Sequence, residues 1–145
     1  MSTSVTIPGA MWPNEKLLCG GQPTEAQFLQ AAAAGFATVI NLRPPAEMFA
    51  CGIDEPAVVA GTGMKYVSIP VGSPADLSAA NARLLWDEIQ AAPGQVMVHC
   101  ASGNRVGALW ALAQRFYGGA AADAALNAGR AAGLAGLETA VRGML

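Results

Sequence analysis

Val98-His99-Cys100-Ala101-Ser102-Gly103-Asn104-Arg105-Val106-Gly107 decides how the rest of the chain reads. With the residues before it, QVMVHC is a β-branched, apolar run that predicts a buried strand over Gln95–Cys100. From Arg105 onward, Val106, Leu109, Trp110, Ala113 and Tyr117 recur at helical spacing and give one apolar helix face. A strand, a short glycine-containing loop and a helix start together make an anion cradle. The helix start presents unpaired N–H groups and the positive end of its dipole. Loop amides can curl around an anion where Gly103 admits the backbone angle, and Arg105 adds a planar fork suited to oxyanions. The same field favours a thiolate at Cys100. A thiolate beside such a cradle is a nucleophile for a phosphorus or sulfur centre.

Working outward, strand and helix patterns alternate. Lys16–Cys19 is a short strand candidate, followed by the turn Gly20-Gly21-Gln22-Pro23. Thr24 opens a helix with Gln27 as its capping-box partner, and Gly35 closes it. Phe36–Leu42 reads as a buried strand, and Arg43-Pro44-Pro45-Ala46-Glu47 as a Pro-rich loop. A helix is expected near Asp54–Ala60, then a strand over Met64–Val71 that Pro70 ends. Ser78 caps a helix running to about Ala92, with Ala82, Leu85, Trp86 and Ile89 on one stripe. After the Pro93-Gly94 turn and the quoted stretch come two Ala-rich helices, roughly Ala120–Ala132 and Leu137–Met144. The expectation is a single α/β domain over residues 1–145, with a mostly parallel sheet of four to five strands flanked by helices. Ligands of such sheets bind at the carboxyl ends of the strands. That places the site among Gly20–Pro23, Arg43–Glu47, Val71–Leu77 and Cys100–Arg105.

Composition narrows the classes of function. Apolar residues make up 53% of the 145 and charged residues 12%, which excludes a disordered chain. The net charge of −2 has its signs interspersed, so no basic stripe tracks nucleic acid and no polybasic run meets anionic lipid. Mean hydropathy is +0.36. The charge-free stretches, Ile89–Asn104 among them, contain Gln, Asn, Gly or Pro and fall short of the roughly 20 residues of a membrane span. The N-terminus carries no Lys or Arg before Lys16 and no unbroken apolar core, unlike a signal peptide. Three cysteines do not make a disulfide framework. A cytoplasmic, cofactor-free protein is expected, with no nucleic-acid or membrane partner and its oligomeric state open.

Four stretches carry a family resemblance: CGGQPTEAQF (19–28), GFATVINLRPPAE (35–47), MKYVSIPV (64–71) and, above all, VMVHCASGNRVGALWAL (96–112). Through them the chain resembles the cysteine-dependent tyrosine and dual-specificity phosphatase superfamily. Within it, the chain is similar to the bacterial phosphatase-like domain of the beta-lactamase-hydrolase-associated type. The resemblance implies that Cys100 is the nucleophile. Arg105 and the amides of Ala101, Ser102, Gly103 and Asn104 would hold the substrate's oxyanion, with His99 supporting the thiolate from behind. Two features depart from the superfamily's pattern. Four residues separate Cys100 from Arg105 where its phosphatases have five, and four is the spacing of rhodanese-like sulfurtransferases. Val106 stands where many of these phosphatases carry a hydroxyl that helps the thiolate leave; Ser102 or Asn104 are the substitutes at hand.

The remaining candidates each have a plainer reading. Asp76 lies where the resemblance would place the general acid, with Asp54, Glu55 and Glu47 as alternatives, but it is also a natural turn or cap residue before Ser78. Arg43 could bind a second anionic group of the substrate or pair with Glu47. Gln22 and its neighbouring glycines could border the pocket, although a tight turn into a capped helix explains them fully. His99 is the single histidine, so Ser-His-Asp catalysis and His-based metal sites lack parts. Cys51, in a loop beside Gly52, is either a resolving thiol or simply free; Cys19 packs as a small apolar residue. Trp86, Trp110 and Tyr117 belong to the core. The leading function is a cysteine-dependent phosphatase acting on a phosphomonoester. The alternatives are a sulfurtransferase carrying a persulfide on Cys100, with a sulfur donor as substrate, and an inactive oxyanion-binding module.

Overall fold

A computed structural model describes residues 5–145; the signal-peptide reading falls partly on residues 1–4, which lie outside the described residues. Four short strands, β1 (Leu17–Gly20), β2 (Thr38–Asn41), β3 (Lys65–Ser68) and β4 (Val96–His99), form one sheet in the order β1-β4-β2-β3. Every pairing is parallel, and the sheet has four strands, the lower end of the expected range. β4 is central and buried along its length, whereas β3 is an edge strand with exposed ends. The register sets Gly20, His99, Asn41 and Ser68 in one row at the carboxyl edge.

Helices cover both faces, as parallel crossovers require. They are α1 (Glu25–Ala33), α2 (Pro45–Cys51), α3 (Glu55–Thr62), α4 (Ala79–Ala91), α5 (Asn104–Phe116), α6 (Ala122–Ala131) and α7 (Glu138–Arg142). The two-residue period of the strands divides the core. Leu17, Cys19, Ile40, Leu42, Val96, Val98 and Cys100 face α4, α5 and the C-terminal helices. Leu18, Val39 and Met97 face the opposite way, onto Phe28 and Ala31 of α1 and Val59 of α3. Trp110 is buried and stacks on half-buried Trp86 at 6.0 Å, joining α5 to α4.

Local signals hold well. Thr24 and Gln27 make both bonds of the capping box, at 3.2 and 2.9 Å, and the Ser78 hydroxyl accepts from Asn81 N–H. One expectation fails in part: of the expected loop 43–47, residues 45–47 are helical. Pro45 starts α2, because a proline at the first helical position gives up only an amide that has no helical partner anyway. Cys51 is therefore the last residue of a helix rather than part of a loop. No helix among the described residues is long and apolar enough to cross a membrane.

Leu109 of α5 is fully buried while Leu29 of α1 is 52% exposed, so the same deletion has different consequences. Leu109→Ala should cost about 2–5 kcal/mol in urea unfolding and Leu29→Ala within about 0.5 kcal/mol. Equal midpoints for the two variants would refute this placement of the core.

Candidate active site

Cys100 follows the last residue of β4, and its surroundings are built locally. Its amide donates to Gly20 O at 3.2 Å, and the preceding carbonyl, His99 O, accepts from Leu42 N–H at 2.9 Å, so both neighbouring strands hold the point where the loop begins. The loop then turns back on the side chain: Gly103 N–H donates to Cys100 Sγ at 3.0 Å. Gly103 has φ +98°, a left-handed conformation that a residue with a Cβ enters at a cost, and from there it starts α5. No side chain caps α5, so its first-turn N–H groups point toward the loop without a protein acceptor from that source. Gly21 lies across the loop, where a Cβ would meet Ala101 O at 2.6 Å; only glycine lets β1's end pass this close. Gln22 N–H donates to the same carbonyl at 3.2 Å.

Arg105 sits on the first turn of α5, and its donors are divided between two jobs. Nη1 donates to Glu47 Oε2 at 2.7 Å and to Val71 O at 2.9 Å, while Nη2 donates to Glu47 Oε1 at 2.8 Å. Glu47 thus grips the end of the guanidinium. The side edge, Nε–H with the second Nη2 hydrogen, remains as another donor fork in the same plane. The guanidinium also interacts with the Cys100 thiol. The Arg105 hydrogen bonds, then those from Arg43, hold the Glu47 carboxyl below its usual range; reciprocally, Glu47 and then the Cys100 charge raise Arg105.

Behind the loop runs a polar line that sequence reading missed. His99, fully buried, places Nδ1 3.2 Å from Cys100 O and Nε2 2.6 Å from Glu55 Oε2. Glu55, the first residue of α3, is fully buried too. Its other oxygen accepts from Gln22 Nε2 at 2.9 Å. Gln22 Oε1 accepts from Arg43 Nη1 at 3.0 Å, and Arg43 Nε donates to Glu47 Oε1 at 3.1 Å. The line runs His99–Glu55–Gln22–Arg43–Glu47–Arg105 without a break. Of its members His99 and Glu55 are fully buried, and leaving a buried polar group without its partner generally costs about 1–3 kcal/mol.

The candidates named from sequence sort as follows. Cys100, the 101–104 loop, Arg105 and His99 are together. Arg43 pairs with Glu47 and Gln22, and it also lines a second cleft with Tyr66 and Ser68. Gln22 does more than turn the chain, because it bridges Glu55 and Arg43. The Asn104 side chain is turned away; its Oδ1 accepts from the amides of Ala135 and Leu137. Asp76 Oδ2 accepts from Gly72 and Ser73 N–H, closing its own 3-10 turn (Pro74–Asp76) beside a small cleft of about 140 Å³ that Arg105 also lines. Asp54 caps α3 by accepting from Ala57 N–H. Cys51 is a free thiol on α2; burial, then the nearby Cys100, pushes the Cys19 thiol far up. Among the described residues there is no cluster of three or more His, Cys, Asp or Glu that could hold a metal ion.

Known proteins resemble this chain in sequence and in fold. The beta-lactamase hydrolase-like protein of Agrobacterium fabrum is 34% identical over 107 residues, 72% of this chain and 25% of that protein. The chain therefore spans about a quarter of the length of the curated relatives it matches. A solved structure from Shewanella putrefaciens CN-32, provisionally assigned as a phosphatase (DUF442), superposes with a TM-score of 0.68 at 25% identity, covering 95% of this chain and 91% of that one. Tk-PTP in its active form gives 0.73 at 18% identity over 97% of both chains, a likeness of fold alone. The sheet and helices are those of tyrosine and dual-specificity phosphatases. The family model for the phosphatase-like domain of beta-lactamase hydrolase-like proteins matches residues 14–117, and the chain belongs to that family.

Proposed function

We propose that this phosphatase-like domain is a cysteine-dependent hydrolase of phosphomonoesters. The observation that carries the reading is the wrapping of the loop on Cys100 Sγ by Gly103 N–H, at the uncapped start of α5 and against Arg105. The Cys100 thiolate attacks phosphorus, the bond from phosphorus to the ester oxygen breaks, and a cysteinyl phosphate forms. Loop amides and the side edge of Arg105 hold the equatorial oxygens, where charge accumulates. Asp76 supplies the leaving oxygen's proton, its turn opening from the Gly72 and Ser73 amides to do so. Water then attacks the phosphoryl group, releasing phosphate and the thiolate. Glu47 orients the guanidinium from its end and leaves the oxyanion-binding edge available.

One observation favours a second reading, sulfur transfer. Val106 is fully buried in apolar surroundings and Asn104 Oδ1 is committed to the chain before α7, so neither assists departure of a thiolate from phosphorus. In that reaction the Cys100 thiolate takes the outer sulfur of thiosulfate with release of sulfite, and the persulfide passes its sulfur to cyanide or a thiol. No general acid is needed.

Acid-quenched intact mass after exposure to an aryl phosphate, and separately to thiosulfate, distinguishes the readings. A phosphoryl adduct that is lost in Cys100→Ser is the expected result; one added sulfur would establish persulfide chemistry. Phosphate binding that survives Cys100→Ser, with no adduct from either donor, would leave an oxyanion-binding module. In Asp76→Asn kcat should fall about 10²-fold or more, the usual contribution of a general acid, and an unchanged kcat would remove Asp76 from the mechanism. Glu47→Gln should lower kcat/KM about tenfold, the size of one charge-assisted hydrogen bond. The sign of the pH effect is fixed by the direction of the Glu47 shift. Being held low in the fold, Glu47 contributes stability that is present above its unfolded value near pH ~4.3 and lost as pH falls through the lowered folded value. Urea midpoints taken downward from about pH 5 should therefore fall less steeply in Glu47→Gln than in the unsubstituted chain.

A further inference from the structure

The contact between His99 and Glu55 is a fully buried imidazole–carboxyl pair directly behind the catalytic loop, and proton counting fixes its state. Cys100 O can only accept, so His99 Nδ1, 3.2 Å away, carries a hydrogen. Nε2 and Glu55 Oε2 are 2.6 Å apart, a distance at which two bare acceptors repel, so a second hydrogen lies between them. The pair is then either imidazolium with carboxylate or imidazole with carboxylic acid. Both forms are neutral overall, which lets the pair sit at zero exposure without burying net charge. Both also leave Nδ1–H polarised toward the Cys100 carbonyl. That carbonyl shares its peptide with Ala101 N–H, a wall of the loop, so hydrogen-bond polarisation passes from Glu55 through His99 into the cradle. Glu55 Oε1 accepts from Gln22, whose amide is fixed by a carboxylate on one side and the Arg43 guanidinium on the other.

We infer that Glu55 is a positioning residue for Cys100, acting through the proton it shares with His99 and the bond His99 makes to the Cys100 carbonyl. The inference rests on the reading of Cys100 as the nucleophile and applies equally to phosphoryl and sulfur transfer. The other titratable groups around the pair and the thiol are Tyr66 of β3, which feels the Glu55 charge, Cys19 of β1, and Arg105 of α5 with its partner Glu47 of α2. None of them contacts both His99 and Cys100, whereas His99 meets Glu55 and the Cys100 carbonyl at once.

Glu55→Gln tests this with little change of shape. The new amide can donate to a bare His99 Nε2 and accept from Gln22, so the fold has its bonds while the shared proton is gone. The readout is alkylation of Cys100 by iodoacetamide as a function of pH, followed on the Cys100 peptide so that Cys19 and Cys51 do not contribute. The profile should move to higher pH by about one unit, and on its rising limb, below the thiol's midpoint, the rate should fall by the matching factor of about ten. A profile that coincides with that of the unsubstituted chain would make Glu55 a structural residue only and overturn the inference. Because His99 is the single histidine, ¹⁵N-histidine labelling gives a second measurement that requires no variant. Both ring nitrogens should carry or share hydrogen in the unsubstituted chain, and only Nδ1 in Glu55→Gln. An Nε2 that neither carries a hydrogen nor accepts one from Glu55 in the unsubstituted chain would overturn the inference even if the variant did not fold. Alkylation reads the thiol whatever the reaction is. Turnover retained in Cys100→Ser would therefore defeat the nucleophile reading, without being confused with an unchanged alkylation profile, which defeats the role of Glu55.

Discussion

Successive residues of a strand point to opposite faces, and at the end of β4 this separates His99 from Cys100. Everything else at the site follows from that division. Cys100 falls on the face covered by α5, where the start of that helix and Arg105 meet its sulfur. His99 falls on the face covered by α1 and α3, with the Phe28 ring 6.0 Å away and the Glu55 carboxyl against Nε2. The side chains of Cys100 and His99 therefore belong to different layers of the domain. The sheet itself insulates one from the other, and the only covalent route between them is a single peptide. β4 must be the central strand for this to work, because both Gly20 O and Leu42 N–H are needed to fix the turn of the chain at Cys100.

The polar line from His99 to Arg105 closes a circuit around the loop. One end holds the carbonyl of Cys100, and the other holds the guanidinium that interacts with its sulfur. Its middle members come from the β1–α1 turn, the end of β2 and two helices, so four segments must be in place before the circuit is complete. A partly satisfied buried network is worse than none, and here no buried side-chain nitrogen or oxygen of the described residues lacks a partner. The loop is thus held in place at both ends; for the proposed phosphoryl transfer this is the preorganisation that electrostatic stabilisation of a charged transition state requires. The partly exposed Glu47–Arg105 pair adds about 1 kcal/mol or less to stability on general grounds, and its importance lies in aiming the guanidinium.

Expectations drawn from the chain succeeded where cause and effect are close in sequence. Thr24 and Gln27 announce their helix because both partners of the capping box lie within one turn. The strand–loop–helix turn at Cys100 was legible because its three parts are consecutive, and Gly103 occupies the one position of that loop with a positive φ. Residues 43–47 misled because two prolines suggest a loop, whereas the second of them sits at the first position of α2, where it costs no helical hydrogen bond. Gln22 was assigned to a tight turn, an explanation complete in itself and blind to a glutamate 33 residues away.

By itself the sequence determined the alternation of strands and helices, the division of apolar residues between two faces, and the cysteine, glycine and arginine of the anion cradle. These are consequences of periodicity and of contacts a few residues long. Only the tertiary structure decided which carboxylates serve which cations: Glu47 for Arg105 across 58 residues, and Glu55 for His99 across 44. Ten acidic residues share the chain, and nothing local marks these two. For Glu55 and His99 the cause is burial, which removes water as a competitor and makes a partner obligatory for each polar group; for the partly exposed Glu47 and Arg105 it is the placing of α2 beside the start of α5, and both belong to the assembled fold.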